Sequence, residues 1–235
     1  SRSIMQSGNA IIGASDIVIE RGKQLAAQIL EASVEDIEFV RGRFHVAGTD
    51  LGIGIMDLAA RLRTEAPHAL DVSHVFKGVP SAFPNGVHIA EVEIDPDTGA
   101  TEVVKYTTMS DFGTMVNPML VEGQVHGGVA QGIGQALSES VVYDEDGQML
   151  TGSYMDYALP RANDVPSMTF DSHPVPARTN PLGAKGCGEA GCAGALPAVM
   201  NAVVDALSEY GIKHIDMPAT PHRIWRAIQD ARAGA

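Results

Sequence analysis

The chain has 235 residues, enough for one large domain or two small ones, and 45% of them are apolar, so a substantial core is expected and disorder is not. A formal charge of −13 excludes the basic face that nucleic-acid binding needs, and it leaves any anionic ligand to local donors. Two cysteines, Cys187 and Cys192, can build neither a disulfide framework nor a cluster needing four thiolates, and they read as small buried thiols.

Residues 7–32 read as a helix, with Ile11, Ala14, Val18, Leu25 and Ile29 mostly on one face and Gly22 as an interruption. Residues 36–46 read as a hairpin turning at Arg41-Gly42, and residues 55–65 as a short amphipathic helix that stops before Pro67. The strongest hairpin signal follows. His88 to Ile94 alternates, Asp95-Pro96-Asp97-Thr98-Gly99 turns, and residues 101–110 return. Asn117 suits an N-cap and Pro118 the first helical position; Val121, Val125, Val129, Ile133 and Leu137 then recur every fourth residue, carrying a helix to about residue 140. A hairpin is expected around Asp146-Gly147, from residues 141–143 and 149–157, and a strand over residues 168–173. A helix is expected from Pro197 to residue 210, stopped by Gly211, and a last one over residues 222–231.

No stretch reaches the ~18 apolar residues of a membrane span. No signal peptide opens the chain, and a cytoplasmic location is expected, with a periplasmic one left open. It begins Ser1-Arg2-Ser3 without a Met, so the numbering is expected to start inside a longer polypeptide. The expected fold class is α+β, with mixed β-hairpins and sheets packed with helices in one unit. An alternative is two lobes, over residues 1–75 and 76–235, meeting where Pro80 and Pro84 fall.

Two segments carry the chemistry. Five glycines lie between Gly123 and Gly134 in the expected helix, each costing ~1 kcal/mol relative to Ala, so on the order of 5 kcal/mol must be offset. Close helix packing would offset it. So would a bulky ligand against that surface, with Gln124 and Gln131 offering amide donors and acceptors to a flat polar heterocycle. Downstream, Lys185-Gly186-Cys187-Gly188-Glu189-Ala190-Gly191 sets one carboxylate in a glycine-rich turn, where a ligand can approach closely; Glu189 is a candidate general base. His126 is a lone histidine and reads as a surface or satisfied helix residue. The histidines show no metal-ligand spacing, and the glycine runs match neither the phosphate loop nor the dinucleotide fingerprint.

Ser1-Arg2-Ser3, Asp111-Phe112-Gly113 with Asn117-Pro118, Gly123-Gln124 through Gly134, Tyr157-Ala158-Leu159-Pro160 and the stretch from Gly183 to Gly194 together resemble a known family. It is the C-terminal molybdenum-cofactor-binding region of the xanthine dehydrogenase and aldehyde oxidase family, the molybdenum hydroxylases. The resemblance covers essentially the whole chain. It implies a molybdenum held by the dithiolene sulfurs of a molybdopterin, in the cytosine dinucleotide form, and hydroxylation of an electron-poor carbon of an N-heterocycle or aldehyde with oxygen from water. Glu189 would deprotonate the Mo–OH, a base role worth roughly 10²–10⁴-fold, with burial beside apolar surface tuning its carboxyl. Gln124 would hydrogen-bond the pterin. Ser1 and Ser3 would contact the cofactor, and Arg2 would neutralise pyrophosphate charge. Backbone N–H groups of Gly186, Cys187 and Gly188 would complete the cradle. Lys185 is open between a phosphate contact and a solvated lysine. The family's upstream glycine-rich cofactor loop has no counterpart here. The implied partners are therefore the upstream half of the subunit, [2Fe–2S] and FAD subunits or domains, and a small-molecule substrate. A competing reading is a non-catalytic scaffold that keeps the fold, with the glycines serving packing and Glu189 capping or salt-bridging locally.

Overall fold

The structure, a computed structural model, describes residues 2–78 and 80–234, so the expected cofactor contact at Ser1 lies outside the described residues. The chain divides into two compact units, one over Ser3–Pro80 and the other over the remainder.

In the smaller unit a π-helical turn at Ile4–Gly8 leads into α1 (Asn9–Leu30). Three short strands follow, β1 (Ile37–Val40), β2 (Arg43–Val46) and β3 (Gly52–Gly54), paired antiparallel in that order, then α2 (Ile55–Leu62). Arg41 and Gly42 both take left-handed φ, 50° and 79°, as a two-residue I′ turn requires. β3 was not expected, because three residues are too few for alternation to register. Gly22, which weakened the helix expectation, has a packing reason. A Cβ there would lie 2.2 Å from the Phe44 ring, and Phe44 is fully buried. The ring sits where a side chain would otherwise stand, and Phe39 packs on it at 4.7 Å between centroids.

The larger unit is built on the hairpin of β4 (Asn85–Ile94) and β5 (Thr101–Asp111). Its turn is closed by Asp95, which accepts the Asp97 N–H and the Thr98 hydroxyl. β6 (Met168–Ser172) adds to β5 in parallel, giving the order β4-β5-β6. α3 (Pro118–Leu137) and α4 (Ala190–Ala206) pack on each other, and α5 (Pro221–Gly234) closes the unit. The Asn117 side chain accepts the Leu120 N–H at 3.1 Å, as the N-cap reading expects.

α4 departs from expectation. It begins at Ala190, and Pro197 lies inside it. Proline there forfeits one backbone hydrogen bond at a cost of ~3 kcal/mol. The stripe Ala195, Val199 and Val203 is fully buried, and at about 1.5–3 kcal/mol per buried valine the packing outweighs the break. The run Ala190–Tyr210 is, by length and composition, long and apolar enough to cross a membrane, contrary to the sequence reading. Its buried stripe belongs to the core shared with α3 and β5. The hairpin expected over residues 141–157 is also absent. One bridge joins Tyr143 to Met149, and the flanking Val141, Tyr143 and Leu150 are exposed, so no core face holds two strands. Cys187 and Cys192 are half-buried rather than buried, and both are free thiols.

Gly22→Ala tests the packing reason. In an ordinary helix interior the change gains ~1 kcal/mol. Here urea denaturation of the full-length polypeptide should show a loss of about 1–3 kcal/mol, partly recovered by adding Phe44→Leu.

Candidate functional site

Asp111, the last residue of β5, organises the loops that lead into α3 and α4. Its Oδ1 accepts the N–H of Gly113 and of Val175, both at 2.9 Å. Its Oδ2 accepts from Lys185 Nζ, and the two side chains are only 13% and 11% exposed. Burial by itself would raise the Asp111 carboxyl. The Lys185 hydrogen bond, the two backbone donors and the Lys185 charge outweigh it and hold the group below its ordinary value. Gly113 and Gly183 complete the knit. Both have left-handed φ, 60° and 69°, and a Cβ on Gly113 would lie 2.1 Å from the Gly183 carbonyl. That carbonyl accepts the N–H groups of Thr114 and Ala177, each at 2.9 Å. The Lys185 N–H donates to the Phe112 carbonyl at 2.9 Å.

Past this knot, α3 and α4 meet almost without side chains. A Cβ on Gly191 would stand 2.4 Å from the Val125 carbonyl and 3.0 Å from the Gly128 Cα; one on Gly132 would stand 2.5 Å from the Ala195 Cβ. Gly134 is closed in by Glu139 and Pro160. Packing thus accounts for Gly128, Gly132 and Gly134. It does not account for Gly123 and Gly127, where a Cβ would meet no atom within 4 Å. These two lie on the exposed face of α3 beside Gln124 and Gln131, which are also exposed.

Gln124 and the downstream loop come together. Gln124 Nε2 donates to the Gly188 carbonyl at 3.4 Å. Glu189 follows at the N-cap position of α4, and its side chain does not cap the helix. The carboxylate therefore stands at the start of a 17-residue helix, not on a turn well ahead of one, and the positive end of the helix dipole favours a negative group there. Glu189 is exposed, so the burial expected to tune its carboxyl is not supplied by this chain. Gly186 is buried, Cys187 half-buried and Gly188 exposed along the same loop. Burial pushes the Cys187 thiol up, which makes it a poor nucleophile.

Lys185 is committed to Asp111, a partner that neither a phosphate contact nor a solvated lysine anticipates. Arg2 is exposed and its guanidinium donates to Ser81 Oγ at 3.4 Å. Ser3 opens the smaller unit, at the N-cap of the π-helical turn, and makes no capping bond. His126 has its Nε2 buried without a hydrogen bond; the Glu122 carboxylate is 4.0 Å away. Among the described residues no three His, Cys, Asp or Glu gather as a metal site. The hub role of Asp111 was missed. An Asp-x-Gly at a strand end was the available signal, but Lys185 lies 74 residues away.

Known proteins resemble this chain along nearly all of its length. The molybdopterin cofactor-binding domain family matches residues 1–166. Subunit gamma of the 6-hydroxypseudooxynicotine dehydrogenase complex of Paenarthrobacter nicotinovorans is 36% identical, over 97% of this chain and 30% of its own length. The carbon monoxide dehydrogenase large chain of Hydrogenophaga pseudoflava is 34% identical, over 98% and 29%. Among solved structures, quinoline 2-oxidoreductase of Pseudomonas putida 86 superposes with a TM-score of 0.81 at 40% identity, covering 97% of this chain and 30% of that one. A Cu,Mo-CO dehydrogenase superposes at 0.86 and 31% identity. The chain thus spans somewhat under a third of the length of these relatives.

Stability measurements on four variants of the full-length polypeptide test this geometry. Lys185→Met leaves the partly buried Asp111 carboxylate without its cation and should cost about 1–3 kcal/mol. Because the folded carboxyl titrates below its unfolded value of about 3.9, its contribution is present above that pH and is lost as pH falls through the folded value. Asp111→Asn should flatten that acid limb in an acid titration of stability. For the glycines, Gly132→Ala should destabilise by about 1–3 kcal/mol. Gly127→Ala, with open space before it, should stabilise the cofactor-free polypeptide by ~1 kcal/mol.

Proposed function

The chain belongs to the molybdopterin cofactor-binding domain family, and from that premise we propose that it is part of the large subunit of a molybdenum hydroxylase in which Glu189 is the general base. The observation that carries the reading is the Gln124–Gly188 contact, which sets an amide side chain beside the residue that precedes the candidate base.

The residues present fit the cofactor. A flat polar ring system needs a surface without side chains and hydrogen-bonding groups at its edge. Gly123 and Gly127 offer the first. Gln124 and the backbone amides of Gly186, Cys187 and Gly188 offer the second. Arg2 and Ser1 and Ser3 are the proposed contacts toward the phosphate end, and the cytosine dinucleotide form is part of the proposal. When bound, the cofactor supplies two-electron oxidation of the substrate carbon.

The chain's own residues then have separate tasks. Gln124 orients the ring system through its amide, which carries no charge to desolvate. The Gly186–Gly188 turn brings backbone N–H groups close to it, because glycine places no Cβ in the way. Glu189 accepts, at a carboxylate oxygen, the proton that the water-derived oxygen gives up as it bonds to carbon. Lys185 acts through Asp111 to hold the turn in place. Enclosure of Glu189, and with it water exclusion, falls to the polypeptide that this chain does not span. The upstream half of the subunit and iron–sulfur and FAD subunits or domains are the proposed partners, and an N-heterocycle or aldehyde the proposed substrate. The scaffold reading accounts for Gly128, Gly132 and Gly134 but leaves Gly123 and Gly127 without a purpose.

The test uses the full-length polypeptide assembled with its partner chains. Glu189→Gln should lower kcat by roughly 10²–10⁴-fold while molybdenum and pterin content persist. Gln124→Ala should lower cofactor content itself. Turnover retained in the glutamine variant would remove Glu189 as base, and a parent complex devoid of molybdenum would favour the scaffold.

A further inference from the structure

One polar pair, half-buried at His88 and buried at Tyr106, takes no part in that chemistry. His88, on β4, places Nδ1 2.7 Å from the hydroxyl of Tyr106 on β5, and the two rings meet edge-on, 5.8 Å apart at 84°. Tyr106 is fully buried. Burial pushes its hydroxyl up and the His88 imidazole down, so the pair is neutral near pH 7. The His88 ring also bears on α4. A Cβ added to Gly194 would lie 2.5 Å from each of Cδ2, Cε1 and Nε2, well inside contact distance. Gly194 is five residues beyond Glu189, about 7.5 Å along the helix. On a neighbouring face the same stretch of α4 is held by Gly191 against Val125 and Gly128 of α3. The first two turns of α4 therefore rest on both α3 and one imidazole.

We propose that His88 is a positioning residue for Glu189: its ring, held by the Tyr106 hydroxyl, sets the height of the start of α4 above β4 and so fixes where the carboxylate stands. A histidine suits the task because it is flat on the helix side and hydrogen-bonded on the sheet side. Gly194 lets the helix come down onto it. The consequence for turnover rests on the proposed role of Glu189; the consequence for the helix does not.

The experiment uses the full-length polypeptide in its assembled complex and reads amide hydrogen exchange, kcat and KM together. His88→Ala should speed exchange at least about tenfold in peptides covering residues 186–194, with peptides of α5 unchanged. The same variant should lower kcat by about 10- to 100-fold, the scale of a misplaced catalytic group, with KM and molybdenum content kept. Tyr106→Phe removes only one hydroxyl and should give the same pattern at smaller amplitude, so the test survives if the alanine variant fails to fold. Adding Gly194→Ala to His88→Ala refills the space and should restore protection, whereas Gly194→Ala alone sets a Cβ against the His88 ring and should lower it. Parent-like exchange over residues 186–194 in both His88→Ala and Tyr106→Phe overturns the proposal. So does an equal rise there in Val203→Ala at a matched loss of Tm, which would make the effect general destabilisation. If Glu189→Gln keeps full turnover, the base assignment falls, while the exchange data still decide whether His88 sets the helix.

Discussion

Asp111 is where the larger unit is tied together. One carboxylate draws donors from three segments: the turn at Gly113, the backbone at Val175 and the ammonium of Lys185. Charge-assisted bonds in a low-exposure setting are strong, and each donor here would otherwise be left unsatisfied as the loops close. α3 begins seven residues after Asp111, and α4 begins five residues after Lys185. The pair thus joins the leads of both helices. Their relative placement, and with it the meeting of Gln124 with the Gly186–Glu189 loop, depends on this partly buried ion pair.

The second constraint is the absence of side chains between α3 and α4. Gly128, Gly132 and Gly191 let the backbones approach to contact, so the helices sit closer than leucines or valines would permit. The close approach brings Gln124 within reach of Gly188. Glycine weakens each helix by its own propensity, and packing returns that cost only where a neighbour fills the vacated space. Gly123 and Gly127 have no such neighbour. The division between filled and unfilled glycines separates those the fold needs for packing from those it does not.

Charge fits the same picture. The chain carries −13 overall, yet the candidate site is lined by neutral amides and backbone groups. The acid among them stands at a helix N-terminus, and the nearest lysine in sequence is already spent on Asp111. Local dipoles therefore oppose the overall field at the start of α4.

Much of this was legible in the sequence. Alternation marked β4 and β5, the Asn117-Pro118 pair marked the start of α3, and Arg41-Gly42 marked a turn, since each depends on residues within a few positions of one another. Gln124 and Glu189 stood out because glycine surrounded them. What the sequence could not determine involves partners far along the chain. Pro197 suggested a helix start, but α4 runs through it because a buried stripe outweighs one lost hydrogen bond. Five glycines in α3 looked alike until neighbours told three from two. Lys185 was ambiguous until Asp111, 74 residues away, proved to hold it. Local propensity is written in adjacent residues; which side of a helix is filled, and which charge is already paired, depends on distances that only the folded chain sets.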